Sequence, residues 1–287
     1  MKTATAGAID GDAAGGRLVI ALIGAGGELG RRVQAQLLQH YQLLLIDQHN
    51  QAELEANLAL LDMALILTPP VSHAGYLRRL TDAGVPRVLC EKPLPVIPDL
   101  HDPQRARVID HYLFKTQVAD CVDYYRLNAG RIKVISLSLC ELRREKRPWM
   151  WTRAGHGGVI LDLGHHLVSL LGLMAGDFQS LANVTDIALS DVEYFDHPGA
   201  AERALQLSFA WGGKQVILAL GQRGEESKEV EMELQDGTRR RFDLSDRVDY
   251  RAVVAAGLAQ DTSPLLEWDD AVEVSRLLNR MLERIDG

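Results

Sequence analysis

The sequence is poor in cysteine and aromatic residues, and it lacks both long hydrophobic runs and an excess of positive charge. Its three cysteines (Cys90, Cys121 and Cys140) are odd in number and widely spaced, and no CxxC pair occurs. This usage argues against a disulfide framework or a zinc site and is typical of reduced thiols buried in a core. We therefore predict a cytoplasmic protein.

No stretch of about 18 consecutive apolar residues occurs, so the sequence predicts no membrane span. The formal net charge is -8 at pH 7, from 31 Lys and Arg against 39 Asp and Glu. Because phosphate backbones attract basic surfaces, this charge argues against nucleic acid or an anionic membrane as partner. Residues 1–16 are small and polar without an apolar core, which predicts a disordered leader rather than a signal peptide.

The chain divides by its patterns into two predicted domains. Residues 17–128 alternate short apolar runs with helical patterns, which is typical of βαβ units around a parallel sheet and predicts a Rossmann domain. Strands are predicted at 18–23, 42–47, 64–67, 85–90 and 106–110, and a helix from about 72 to 83.

Residues 129–287 are predicted to form a substrate-binding and oligomerisation domain. Strand patterns follow one another there without intervening helices, which indicates a large, mostly antiparallel open sheet. The sequence QDGT at 235–238 predicts a hairpin turn within it. Helices are predicted at 159–175, 247–258 and 267–284. The fold class is therefore α/β, with a parallel sheet followed by a second sheet.

A glycine-rich turn, GAGGELG, lies between the first predicted strand and the first helix. Glycines here allow a tight turn, the approach of backbone N–H groups to a pyrophosphate, and close helix–strand contact. An acid ends the second strand, where its carboxylate accepts hydrogen bonds from ribose hydroxyls and repels a 2′-phosphate. The pattern predicts an NAD site, with NADP less favoured. Its residues are Gly24, Gly26, Gly27, Glu28, Leu29, Gly30 and Asp47.

Three further segments, taken in this order, resemble signatures of the Gfo/Idh/MocA oxidoreductases. They are LTPPVSH (67–73), CEKPL (90–94) and GGVILDLGHH (157–166). The resemblance implies a Rossmann domain joined to an α/β domain with a large open sheet, and a homo-oligomer. It implies Lys92, Asp162 and His166 at the reacting carbon. The cofactor-binding residues that it adds are Thr68, Pro69, Pro70, His73, Glu91 and Lys92.

One segment departs from that family. VIDHYLFK (108–115) resembles the IDHYLGK signature of the glucose-6-phosphate dehydrogenases, a related family with the same two-domain plan. The resemblance implies that Asp110 orients the base His166, and it predicts a small anionic substrate such as a sugar phosphate. The substrate-binding residues that we expect are His111, Tyr112, Lys115, Arg153 and His165.

The same residues suit oxidoreduction on their own chemistry. Lys92 follows a strand at the edge where open α/β folds bind ligands, and an ammonium there can stabilise a developing alkoxide. Asp162 and His166 are four residues apart and share one helix face. His165 and His166 point about 100° apart, so only one is expected to face the site. We predict no metal, because no third ligand has suitable spacing.

We therefore predict an NAD-dependent enzyme that transfers hydride between nicotinamide and a secondary alcohol or carbonyl of a sugar, polyol or sugar phosphate. His166 takes the hydroxyl proton, and Lys92 hydrogen-bonds the same oxygen. Either Asp110 or Asp162 orients His166, and the IDHY segment favours Asp110. Two alternatives stay open: a non-catalytic dinucleotide-sensing regulator, and an enzyme that reduces a C=N or enone group on the same scaffold.

Overall fold

The computed structural model describes residues 17–142, 148–223, 226–259 and 264–286, so the predicted leader at 1–16 lies outside the described residues. The first half of the chain forms a parallel sheet in the order β2-β1-β3-β4-β5. Its strands are β1 (Val19–Ile23), β2 (Gln42–Ile46), β3 (Met63–Ile66), β4 (Val88–Glu91) and β5 (Ala106–Ile109). Because β2 and β3 lie on opposite sides of β1, a crevice opens between the carboxyl ends of β1 and β3.

Seven α-helices are described. They are α1 (Glu28–Leu37), α2 (Gln51–Asn57), α3 (His73–Asp82), α4 (Thr116–Asn128), α5 (His165–Ala175), α6 (Tyr250–Ala259) and α7 (Trp268–Asp286). Alternate residues of the parallel strands belong to two different cores. Leu22 and Leu65 pack with residues of α1 and α6, whereas Ile23 and Ile66 pack in the core that includes α3, α5 and α7. Burial on both faces explains why β1 and β3 are continuously apolar in sequence.

The second half forms a six-stranded sheet in the order β11-β10-β6-β9-β8-β7. Its strands are β6 (Ile132–Leu142), β7 (Thr185–Tyr194), β8 (Glu202–Trp211), β9 (Lys214–Arg223), β10 (Ser227–Leu234) and β11 (Arg239–Asp243). The β6–β9 pair is parallel and the other neighbouring pairs are antiparallel, so the predicted mostly antiparallel sheet is confirmed. The predicted turn joins β10 to β11, and Gly237 there has φ +83°.

The predicted helix at 159–175 begins with one π-helical turn, Ile160–Gly164, before α5. The longer helical run Arg153–Ala175 is long and apolar enough, by length and composition, to cross a membrane. The sequence analysis did not predict a span here because the run is interrupted by polar residues. Within that run, 83% of the apolar window is buried inside the fold. It is therefore the core helix of the second domain, and it carries Asp162, His165 and His166 towards the ends of the parallel strands.

Candidate active site

The glycine-rich turn is shaped by two close approaches. Gly24 has φ +94°, and a Cβ on it would lie 2.9 Å from the carbonyl of Leu67 at the end of β3. A Cβ on Gly30 would overlap the carbonyl oxygen of Gly24. Because only glycine permits these contacts, the amino end of α1 lies against the crevice between β1 and β3, where a pyrophosphate binds in such folds. The rest of the turn consists of Gly26, Gly27, Glu28 and Leu29.

Asp47 follows β2 beside this turn. Its Oδ1 accepts a hydrogen bond of 2.7 Å from the backbone N–H of His49. Its Oδ2 lies 3.8 Å from the position that a Cβ on Gly26 would take. Among the described residues Oδ2 has no hydrogen-bond donor, so it can accept bonds from ligand hydroxyls at this end of the crevice. A side chain on Gly26 would narrow the space in front of it.

Lys92 follows β4 and is held by Asp162. Its Nζ lies 2.8 Å from Asp162 Oδ1 and 2.5 Å from the Asp162 carbonyl oxygen, and the side chain is 8% exposed. Burial lowers the pKa of Lys92, but the carboxylates of Asp162 and Glu91 outweigh this, so the pKa is raised above its ordinary value. The ammonium therefore stays protonated at neutral pH and keeps one N–H to donate.

Asp110 follows β5 and is fully buried. It contacts His165 and His166 of the helical run at 160–175, which also carries Asp162 and is called the active-site helix. Its Oδ1 lies 2.5 Å from His166 Nδ1, and its Oδ2 lies 3.1 Å from His165 Nδ1. Both rings therefore contact Asp110, one at each carboxylate oxygen, and the expectation that only one of them faces the substrate stays a prediction, as does substrate binding by His165. Of the two carboxylates considered from sequence, Asp110 contacts His166 and Asp162 contacts Lys92.

The electrostatics of this pair favour an ionised carboxylate and an uncharged imidazole. Burial lowers the pKa of His166 to about 4, although the Asp110 carboxylate raises it. Burial raises the pKa of Asp110, but the two imidazoles hold it well below its usual range. With its hydrogen on Nδ1, His166 keeps the Nε2 lone pair for a proton. This is the arrangement of a general base with a carboxylate behind it.

No protein-family model matches the sequence, and no curated protein does. Solved structures match along the whole chain. GenD2 from gentamicin A biosynthesis, solved with NAD, is 17% identical with a TM-score of 0.76, over 95% of each chain. A myo-inositol dehydrogenase from Corynebacterium glutamicum is 17% identical with a TM-score of 0.70, over 93% of this chain and 96% of its own.

A third structure is KijD10, a 3-ketoreductase from Actinomadura kijaniata solved with NADP and TDP-benzene. It is 15% identical with a TM-score of 0.64, over 93% of this chain and 97% of its own. The chain therefore shares the two-domain fold of these structures, which the sequence analysis expected from its resemblance to the Gfo/Idh/MocA oxidoreductases. Lys92, after β4, and Asp162 form their ion pair at the carboxyl edge of the parallel sheet.

Glu91 turns its carboxylate into the protein, which corrects its prediction as a cofactor ligand. Oε2 accepts 2.9 Å from the Lys92 backbone N–H, and Oε1 lies 3.2 Å from both His111 Nδ1 and the Tyr250 hydroxyl. Burial raises the pKa of Glu91, but the hydrogen bond from His111 and nearby cations keep it below its ordinary value. Glu91 therefore anchors the backbone of Lys92. The sequence analysis missed Tyr250, which lies 159 residues away on α6.

His73 is also a supporting residue rather than a cofactor ligand. Its ring is buried, with Nε2 2.8 Å from the Thr68 carbonyl oxygen and Nδ1 2.9 Å from the Pro93 carbonyl oxygen. The ring thus ties the loop after β3 to the turn that holds Lys92. Thr68 lies beside the glycine turn, since its backbone N lies 3.0 Å from the position of a Cβ on Gly24, and cofactor binding by Thr68, Pro69 and Pro70 stays a prediction.

His111 and Tyr112 lie against His166. The Tyr112 ring stacks on the imidazole with centroids 4.0 Å apart, and the His111 ring meets it edge-on at 4.8 Å. The Tyr112 hydroxyl lies 3.4 Å from Glu141 Oε1, and burial raises its pKa strongly, so it stays protonated. These two predicted substrate-binding residues therefore join the cluster and restrict the orientation of the His166 ring.

Lys115, in contrast, does not form the predicted anion site with His111. A single helix through both residues would place their side chains on one face, but His111–Phe114 is a 3-10 turn and α4 begins at Thr116, so Lys115 lies between two elements. Its buried ammonium donates to the carbonyl oxygens of Leu244 and Asp246, the latter at 2.7 Å. It links the turn after β5 to the segment after β11.

Lys115→Ala is expected to lower the free energy of unfolding by about 2–4 kcal/mol, because two buried carbonyls lose a charged donor. The KM of the substrate is expected to change little. Urea unfolding with steady-state kinetics checks both. Lys133→Ala, which removes an exposed ammonium paired with Glu233, is the control and should cost no more than about 1 kcal/mol. Unchanged stability with a raised KM would restore the anion-binding interpretation.

Arg153 lies at the start of the active-site helix. Its guanidinium lies 2.5 Å from Glu202, a fully buried carboxylate on β8 that also accepts 2.9 Å from the backbone N–H of Ile160. Gly158, with φ +104°, leaves the room that this carboxylate fills. The sequence analysis missed Glu202, and the double glycine at 157–158 was the local sign that another chain segment approaches closely. Substrate binding by Arg153 stays a prediction.

Proposed function

We propose that this protein is a dinucleotide-dependent oxidoreductase that interconverts a secondary alcohol and a ketone on a sugar or polyol. The observation that carries the proposal is the buried His166, whose Nδ1 is held by Asp110 while its Nε2 is left for a proton. Lys92 provides a protonated donor within the same cluster. The glycine turn and Asp47 support a dinucleotide at the neighbouring end of the crevice.

The residues divide the reaction as follows. NAD, held by the glycine turn and Asp47, supplies a hydride acceptor when it is bound. Lys92 donates its remaining N–H to the substrate oxygen and stabilises negative charge that develops there. His166 Nε2 removes the hydroxyl proton, and the ionised Asp110 then stabilises the imidazolium that forms. In the reverse direction His166 returns the proton to the carbonyl oxygen.

The charges of the site favour a substrate that is neutral near the reacting carbon. Lys115, the cation expected to hold a phosphate, donates to protein carbonyls instead. Lys92 is paired with Asp162 and has one donor left for the hydroxyl itself. We therefore propose a neutral sugar, polyol or cyclitol unit as the part of the substrate that enters this cluster, in place of a sugar phosphate.

The experiment is a substrate screen by absorbance at 340 nm with NAD and NADP. The panel contains matched pairs of neutral and phosphorylated sugars, cyclitols and nucleotide sugars, and His166→Asn serves as the inactive control. We expect NADH formation with a neutral ring and less with its phosphorylated partner. Tight dinucleotide binding with no turnover on any substrate would contradict the proposal and favour the regulator instead.

Asp47 is expected to make the protein prefer NAD(H) over NADP(H) by at least about tenfold, or 1.4 kcal/mol. Its carboxylate accepts from ribose hydroxyls and repels a 2′-phosphate. Calorimetry with both cofactors measures the ratio, and Asp47→Ser is the matched variant because it removes the charge and keeps a small polar side chain. The ratio should fall towards one in Asp47→Ser. Equal affinities in the unaltered protein would contradict the prediction.

A further inference from the structure

We propose that His165 is a positioning residue whose Nδ1–H holds the second oxygen of Asp110, and thereby controls how strongly Asp110 acts on His166. The proposal deepens the proposed function, since it rests on His166 being the base. It concerns a residue that neither contacts the reacting atoms in the mechanism nor belongs to the Lys–Asp–His set. The proposal rests on one observation: the imidazoles of His165 and His166 both contact the carboxylate of Asp110.

The hydrogen bonds of Asp110 are divided unequally between its oxygens. Oδ1 is approached by His166 Nδ1 at 2.5 Å and by the backbone N–H of Tyr112 at 3.1 Å. Oδ2 has His165 Nδ1 at 3.1 Å. Because an ionised carboxylate only accepts, both imidazoles must present an Nδ1–H to it. His165 therefore fixes the rotation of the carboxyl group and draws part of its charge away from His166.

The other nitrogen of His165 indicates why a histidine stands at this position. The side chain is fully buried, and Nε2 finds no hydrogen-bond partner among the described residues. A buried acceptor without a partner is a cost that an apolar residue at the same place would avoid. Ser169 Oγ lies 3.2 Å from Nδ1, so it too meets the side of the ring that faces Asp110. The useful part of this side chain is thus its Nδ1–H.

Several other groups influence His166 and stay constant in the comparison below. They lie on the end of β4, on the turn after β5 and on the active-site helix itself. These groups are Glu91, Lys92, His111 and Tyr112, together with Asp162, which is paired with Lys92. None of them is altered by a substitution at position 165, so a change in His166 titration would report the sharing of Asp110.

The test is the pKa of His166, measured by NMR titration of histidine-labelled protein without substrate and assigned with His166→Asn. In His165→Leu, Asp110 loses one donor and acts more strongly on His166. The His166 pKa is expected to rise by about one unit, a tenfold change in proton affinity. In His165→Asn the amide nitrogen occupies the place of Nδ1, so the His166 pKa is expected to match that of the unaltered protein. Ser169→Ala, which keeps His165, is expected to leave the His166 pKa unchanged.

The titration needs no turnover, so it separates this proposal from the proposed function. A shift in His165→Leu that His165→Asn abolishes supports the proposal even if no substrate is ever oxidised. The same His166 pKa in both variants and in the unaltered protein would overturn it, even in an active enzyme. If His165→Leu does not fold, His165→Gln replaces it, because its amide lies at the place of Nε2. His165→Gln is then expected to raise the His166 pKa as predicted for His165→Leu.

Discussion

His166→Asn is expected to lower kcat by about 10²–10⁴-fold, the usual contribution of a general base, while dinucleotide affinity stays unchanged. The asparagine amide can take the place of Nδ1 and keep the 2.5 Å contact with Asp110. The substitution therefore removes Nε2 and little else. Steady-state kinetics on the best substrate of the screen, with NADH binding measured by fluorescence, checks both halves of the prediction.

Substitutions of the two carboxylates test the same arrangement. Asp110→Asn is expected to reproduce much of the loss, because the imidazolium formed during the reaction loses the charge that stabilises it. Asp162→Asn should cost less, since Asp162 contacts Lys92 and not His166 in the structure. Near-normal turnover in His166→Asn would remove the mechanism altogether. A larger loss at Asp162 than at Asp110 would assign the orientation of the base to Asp162.

Lys92→Met is expected to lower kcat/KM by about 10²–10³-fold, the usual effect of losing one donor to a developing oxyanion. Methionine fills the space of the lysine stem, so the change removes the ammonium with little change in packing. Asp162→Asn is the informative partner. Because Lys92 and Asp162 act as one unit, the double variant should be about as slow as Lys92→Met alone. A double loss equal to the product of the single losses would show that they act independently.

The parallel sheet and the residues at its carboxyl edge could be predicted because local patterns encode them. A strand buried on both faces is expected to be continuously apolar, and β1 and β3 show this in sequence, whereas β2, β4 and β5 each carry one polar residue. The carboxyl ends of parallel strands meet at one edge. Motif residues placed after these strands, such as Asp47, Lys92 and Asp110, therefore had to lie along the same edge of the sheet, with Lys92 and Asp110 on neighbouring strands.

The remaining features depend on contacts between distant segments. β7 was not predicted, because Asp186 and Asp191 have positive φ and break the alternation of this exposed edge strand. Tyr250 contacts Glu91 from α6, and Glu202 contacts the start of the active-site helix from β8. No pattern in their own segments marks either residue. Whether the Lys115 side chain points to the substrate or to protein carbonyls depends on where the 3-10 turn before it ends. Element boundaries of this kind are the least certain part of a sequence-based prediction.

The return of α6 to the parallel sheet makes the first half of the fold dependent on the C-terminal part of the chain. Val253 and Val254 of α6 cover the same face of the sheet as Leu22 and Leu65. A fragment ending at residue 128 would keep every strand of that sheet and α1, but it would expose the part of this face that α6 covers, and exposed apolar patches of this kind promote aggregation. The half with the parallel sheet is therefore not expected to be soluble as a separate module.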